Sequence, residues 1–439
     1  MKAIIRQSKR LSAMLVMALL SVANYGVQAA IDGISGTEFN LVASSGYIST
    51  PDGDSLLIWG YGVEGGLGQY PGPTLIVNQG DEIAIHLTND LPMPVSMVFP
   101  GQEGVSASGG TAGTITQESN GPSDIVTYTF TATHPGTFMY QSGTRQDIQV
   151  EMGLLGAIIV RPNNVDQAYA HPDTAFDHEY LFVLTEMDPI VHLYVELGFA
   201  DFVDNTLYNP VLWFINGRNG PDTLGPAFAP WMPHQPYNIL PRIHPGETML
   251  LRVVGGSRDM HPFHTHGNNF TMIGRDGRLL ESGLNAGPDL AVSDFTLKTV
   301  PGQTYDALWT WTGEKLGWDI YGTVADGAPA HDCVSTDGDD FDDTTHEYCP
   351  DHDKPFPVIL PELQDLTFGG FYSGSPFLGE FGDLPPGEGG LNLNGGLFFM
   401  WHSHTEKELV NNDIFPGGMM TMCIIEPPAV DIPMGVPFP

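Results

Sequence analysis

Two short histidine strings hold most of the chemistry this chain can offer. Residues 260–270 read Met260, His261, Pro262, Phe263, His264, Thr265, His266, Gly267, Asn268, Asn269, Phe270, and residues 401–404 read Trp401, His402, Ser403, His404. Five of the 15 histidines therefore sit in two pieces with metal-ligand spacing. Alternate residues of an extended strand face the same side, so His264 projects with His266, and His402 with His404. If those pairs lie on neighbouring strands, four imidazoles surround one small volume, an arrangement that suits copper or zinc. A lone histidine more often reads as a satisfied core residue, but two H-x-H pairs in one domain favour a shared metal.

The elements that must position these strings are strands. From Ile31 onward, short β-branched and aromatic runs are separated by Gly, Pro, Asn and Asp, with 53 glycines and 36 prolines as punctuation. No long segment carries a clean helical period, so the chain reads as all-β, of sandwich or barrel type. In a first unit, residues 74–77 lead through a turn into 82–88, where Ile83, Ile85 and Leu87 share one face. Strands follow at 126–131, 136–140 and 153–160. A second unit starts near His178, with strands at 180–184, 213–217 and 247–254, then the first histidine string, 305–311, and a closing strand at 419–425. We divide the chain into a leader at 1–30, a domain at 31–163, a second domain at 164–430 with an insertion at about 322–396, and a tail at 431–439.

Composition narrows the setting. Lys2, Arg6, Lys9 and Arg10 precede an apolar run at 11–23, and Val27-Gln28-Ala29 ends in small residues, the layout of an export signal. That run is short for a membrane span, and no later stretch reaches about 18 uninterrupted apolar residues. The expectation is an exported protein, periplasmic or secreted, with no span in its mature form; an uncleaved anchor is the alternative. The formal charge of −36 disfavours nucleic acid and anionic lipid as partners. Cys333 and Cys349 flank an acidic, glycine-containing loop, where a disulfide would stabilise by about 3 kcal/mol. Cys423 reads as a buried small hydrophobe. The acidic run at 337–343 offers oxygens to calcium, but Asp342 and Tyr348 stand where a helix-loop-helix site needs Gly and Glu, so a solvated loop is the preferred reading. His331, His346 and His352 lie in the same insertion and form a weaker candidate for a second surface site. No G-x-S-x-G elbow, helix-opening phosphate loop or H-E-x-x-H offers competing chemistry.

The string from His261 to Gly267 resembles the HPxHLHG signature of multicopper oxidases, and Trp401-His402-Ser403-His404, followed by Gly418-Met419-Met420, resembles their WHCH signature. Residues 71–92 are similar to the family's opening strands, and 153–160 to the end of its first cupredoxin domain. The resemblance implies two cupredoxin-like Greek-key domains, in a layout similar to two-domain members such as the nitrite reductases. It also implies a copper cofactor, redox activity with a small-molecule or protein partner, and a homotrimer as the candidate assembly.

Departures from the pattern narrow that expectation. Where the family carries its first-domain histidine pairs, this chain has Val98 with Pro100 and Gln141 with Gly143. Ser403 replaces the cysteine that supplies the type 1 thiolate, and Glu408 falls where the type 1 histidine is expected. A blue site needs a soft thiolate, which a serine hydroxyl cannot replace. Four-electron oxygen reduction by the usual route is therefore not expected. The metal candidates that remain are His264, His266, His402 and His404, with His261 near the former type 1 position. Three readings stay open: a mononuclear copper protein acting as an oxidoreductase, a metal-free cupredoxin scaffold, and a zinc-binding variant.

Overall fold

The computed structural model describes residues 31–164, 166–312, 321–353, 375–376, 397–426 and 428–432. The leader segment at 1–30, most of the insertion and residues 433–439 of the tail lie outside the described residues.

Strand Glu82–Asn89 shows how the alternating pattern becomes a core. Ile83, Ile85 and Leu87 are buried, while Glu82 faces solvent. The strand runs parallel to Glu38–Ser49 and antiparallel to Val126–Thr131 within a five-stranded sheet. A four-stranded sheet pairs Leu75–Asn78 with Leu155–Arg161 in parallel and Leu155–Arg161 with Gly136–Gln141 antiparallel. Trp59, Tyr61, Ile85, Tyr128, Phe138 and Tyr140 belong to the core between these sheets.

The second domain repeats this plan on a larger scale. One sheet is built around His178–Met187, Thr248–Gly255, Thr304–Thr310 and Phe270–Arg275. The other runs Arg242–Ile243, Met420–Ile425, Leu397–Ser403, His261–Thr265, Thr296–Thr299. Aromatic rings fill the space between, with Phe182 and Phe263 centred 5.2 Å apart and Trp309 and Trp401 5.1 Å apart. The chain is thus an all-β, two-domain protein of cupredoxin-like sandwiches. The helix Pro189–Glu196 departs from the all-strand expectation. At eight residues it is too short to show a period, but Asp188 caps it by accepting the Ile190 amide, and Pro189 occupies its first turn.

A shared core and a buried ionic seam join the domains. Ile58, Tyr70, Leu155 and Ile159 of the first pack with Leu181, Val183 and Phe214 of the second. Beside them Arg252, fully buried, donates through Nε to Glu179 at 2.8 Å and through Nη1 to Asp306 at 3.3 Å. Arg161 of the first domain binds the same Glu179, and Thr137 donates to Asp306 at 2.5 Å. Burial pushes the Glu179 carboxyl up, but Arg252 and Arg161 outweigh it and hold the group below its ordinary range. Arg252→Ala would leave the buried Asp306 without its cationic partner and Glu179 with Arg161 alone, and we expect it to destabilise the fold by about 3–5 kcal/mol, read from the urea midpoint. A cost within about 0.5 kcal/mol, the usual range for surface changes, would contradict this assignment.

Candidate metal centre

Backbone register brings the two histidine strings together. Strand His261–Thr265 lies between Thr296–Thr299 and Leu397–Ser403 and is antiparallel to both, with His264 opposite Thr296 on one side and opposite His402 on the other. Opposed residues of an antiparallel pair share a face, and so do their neighbours two positions along. His266 and His404 therefore join the same face. Ring centroids stand 4.8 Å apart for His264 and His266, 4.9 Å for His264 and His404, and 5.2 Å for His266 and His402. The remaining neighbours are 5.5 Å apart for His264 and His402 and 5.6 Å for His402 and His404. Imidazoles that share one tetrahedral ion at ordinary bond lengths have centroids roughly 5 Å apart. Gly267 lets the backbone turn away behind His266, since its φ is +103° and a Cβ would lie 2.9 Å from the Trp309 ring.

The surroundings orient these rings for ligation. His402 Nδ1 donates to the Ser403 carbonyl at 2.6 Å, which leaves Nε2 facing His266 Nε2 at 3.2 Å. His264 Nδ1 lies 2.9 Å from the Thr296 hydroxyl. Outer hydrogen bonds of this kind fix the tautomer and direction of metal-binding histidines. Burial, together with the neighbouring His402 and His404, pushes His264 down to about 4, and burial lowers His402 as well. Both rings are therefore neutral near pH 7, the form that binds metal. His264 and His402 are buried, His266 is half-buried and His404 is exposed, so the group has a deep side and an open one.

His261 stands outside this group. Its Nδ1 lies 2.9 Å from Glu408 and its Nε2 2.9 Å from Glu186, so carboxylates occupy both ring nitrogens, and all three residues are buried. The neighbouring Tyr208 hydroxyl is 2.9 Å from Glu151 and 3.1 Å from Glu186. Spacing in the sequence does not reveal Glu186, Glu151 or Tyr208. The only available signal is an acidic residue inside the apolar run 181–187, which calls for a buried partner.

The first-domain positions singled out in the sequence also meet. Val98 and Gln141 bridge through paired backbone hydrogen bonds of 2.8 and 3.1 Å, and Ser142 donates to Gln149 at 2.6 Å. Val98, Pro100, Gln141 and Gly143 offer no imidazole here. His86 pairs with Thr127 at 2.9 Å on the five-stranded sheet, and His134 lies 3.8 Å from Glu103, both away from the cluster. In the acidic loop the carboxylates serve the loop itself: Asp339 accepts the Phe341 amide, and Asp342 accepts the amides of Val334, Thr344 and Thr345, which lower it to about 2. Cys333 and Cys349 are bonded, and Cys423 is free and buried.

Comparison with known proteins bears on the fold and on the first domain. Residues 62–165 match the family model described as multicopper oxidase. Multicopper oxidase MCE of Talaromyces pinophilus is 36% identical over 97 residues, which is 22% of this chain and 16% of that protein. L-ascorbate oxidase of Cucurbita pepo var. melopepo is 39% identical over 98 residues, 22% of this chain and 17% of that one. The match thus spans about a sixth of the length of these curated relatives. Among solved structures, the blue copper oxidase from Nitrosomonas europaea shares the fold with a TM-score of 0.54 at 18% identity, covering 88% of this chain and 85% of that one.

The setting of His261 has a consequence for stability. Burial alone would lower its pKa, but hydrogen bonds to Glu186 and Glu408 outweigh burial and raise it to about 9. A folded-state value above the unfolded one stabilises fully below about pH 6.5, and that contribution is lost as pH rises through 9. The difference corresponds to roughly 3 kcal/mol. Urea midpoints of the wild type and His261→Ala should differ most near about pH 6 and converge near about pH 10. A gap that stays constant across that range would contradict a protonated His261.

Proposed function

We propose that this chain, whose residues 62–165 match the multicopper oxidase model, is an exported copper protein with one remodelled, mononuclear centre in its second domain. His264, His266, His402 and His404 hold the copper, and the protein acts as a copper-dependent oxidoreductase. The observation that carries this reading is the set of four imidazoles with neighbouring centroids 4.8–5.6 Å apart, of which His264 and His402 are neutral and held by outer hydrogen bonds. The domain division at 163/164 and the insertion at 322–396 are part of the same proposal.

When bound, copper supplies one-electron redox chemistry through its two accessible oxidation states. The chain's own residues set the terms. Thr296 and the Ser403 carbonyl hold the His264 and His402 rings in place. Thr265 and Trp401, paired across the two strands, form the buried wall behind them. The exposed His404 ring leaves one side open to a small reductant or a protein partner, and Phe295, centred 5.6 Å from His264, lines that side. Ser403 cannot supply a thiolate, so the centre has neither a blue band nor a cysteine path for electrons.

A second reading follows from the filled first-domain positions, Val98 and Gln141, which leave half of the family's ligand set absent. In that reading the chain is a metal-free scaffold. Copper analysis separates the two. Protein loaded with copper and dialysed should hold one equivalent more than the His264→Ala/His404→Ala variant, with far-UV circular dichroism unchanged. Equal copper in the two proteins rules out the four-imidazole site. Zinc retained in preference to copper at the same four rings would favour the zinc-binding variant.

A further inference from the structure

We propose that the disulfide-closed part of the insertion carries a second, separate metal site, in which His331, Glu347 and His352 hold a divalent ion of the zinc and copper class. Ligand atoms of these three residues lie within 4.8 Å of one another. Glu347 is fully buried, and each of its oxygens faces a different imidazole: Oε2 lies 2.8 Å from His331 Nε2, and Oε1 2.5 Å from His352 Nδ1. The two rings are centred 5.0 Å apart, and each keeps about a quarter of its side chain exposed, so an ion can reach them from solvent.

Hydrogen bonding at His331 calls for a positive charge at its Nε2, carried by a proton or a metal ion. Its Nδ1 lies 2.9 Å from the Pro329 carbonyl, which can only accept, so Nδ1 carries a proton. A neutral ring would then turn the Nε2 lone pair toward the Glu347 carboxylate, an arrangement that repels. A second proton or a metal on Nε2 resolves it, and a histidine that donates its other nitrogen to a backbone carbonyl is the usual form of a metal ligand. Two imidazoles with one carboxylate match the protein ligand set of open zinc sites. Donor atoms on a tetrahedral zinc stand roughly 3.3 Å apart, so the rings need to retreat from Glu347 by less than about 1 Å.

The covalent frame supports the same assignment. Cys333 and Cys349 are bonded with Cα atoms 5.4 Å apart; His331 lies two residues before Cys333, Glu347 two before Cys349, and His352 three after it. One cross-link thus gathers all three ligands and reduces the ordering that binding would otherwise require. The other His–His–Glu group among the described residues, His178, His244 and Glu247, differs in this respect. There both rings and the His244 amide converge on the single oxygen Glu247 Oε2, which closes a turn.

Zinc titration of the full, oxidised chain tests the proposal. In the His264→Ala/His404→Ala background the protein should bind one equivalent of zinc. Adding His331→Ala and His352→Ala should weaken that binding at least about tenfold. In an otherwise wild-type chain the same two loop substitutions should remove one metal equivalent, which provides the readout should the four-fold variant fail to fold. Absence of zinc binding in the first background, or binding that the loop substitutions leave unchanged, overturns the proposal. Should the four-imidazole centre be the one that fails, the wild type and His264→Ala/His404→Ala will bind the same single zinc, and the loop substitutions will still abolish it.

Discussion

The candidate centre depends on one backbone constraint, the antiparallel register that sets His264 opposite His402. A slip of one residue in either strand would turn that strand's H-x-H pair to the other face of the sheet and into the aromatic core, away from its partner pair. That core fixes the register, because Phe263 and Trp401 occupy the inner face of the same strands and pack against Phe182. The energy that holds the four imidazoles together is therefore supplied largely by the apolar layer behind them.

The surroundings of His261 follow a different logic. The sequence resemblance implies a copper thiolate centre near His261 in relatives, and here the residues at hand are Ser403 and Glu408. Glu408 does not leave His261 as an idle ligand. Together with Glu186 it encloses the ring between two carboxylates, and a buried imidazolium takes the place of a cation. Such a buried ionic group carries a large desolvation cost and holds only while every partner is present. In this chain His261 thus serves charge balance within the second domain.

Much of this was legible in the sequence because it depends on short-range period. Alternation at Ile83, Ile85 and Leu87 announces a half-buried strand, and H-x-H spacing announces two ligands on one face. The resemblance of 71–92 to a family opening falls inside the residues that match the family model. Partners far apart in the chain were not legible. His261 shares its string with His264 and His266, yet its neighbours are Glu186 and Glu408, which only the fold brings near. The seam of Arg161, Glu179, Arg252 and Asp306 escapes notice for the same reason, since nothing local marks Arg161 as the residue that will pair with Glu179 across domains. In the insertion, aspartates that look like a cation loop turn inward to bind their own backbone amides, while the less conspicuous Glu347 collects two imidazoles.

The most direct test of the central claim is electron paramagnetic resonance of the copper-loaded full chain, with pulsed detection of nitrogen couplings. The account predicts an ordinary type 2 signal with at least three imidazole nitrogens coupled to the copper, sensitive to His264→Ala, and no intense thiolate-to-copper absorption in the visible. A copper signal lacking imidazole couplings, or one that His264→Ala leaves unaltered, would contradict it.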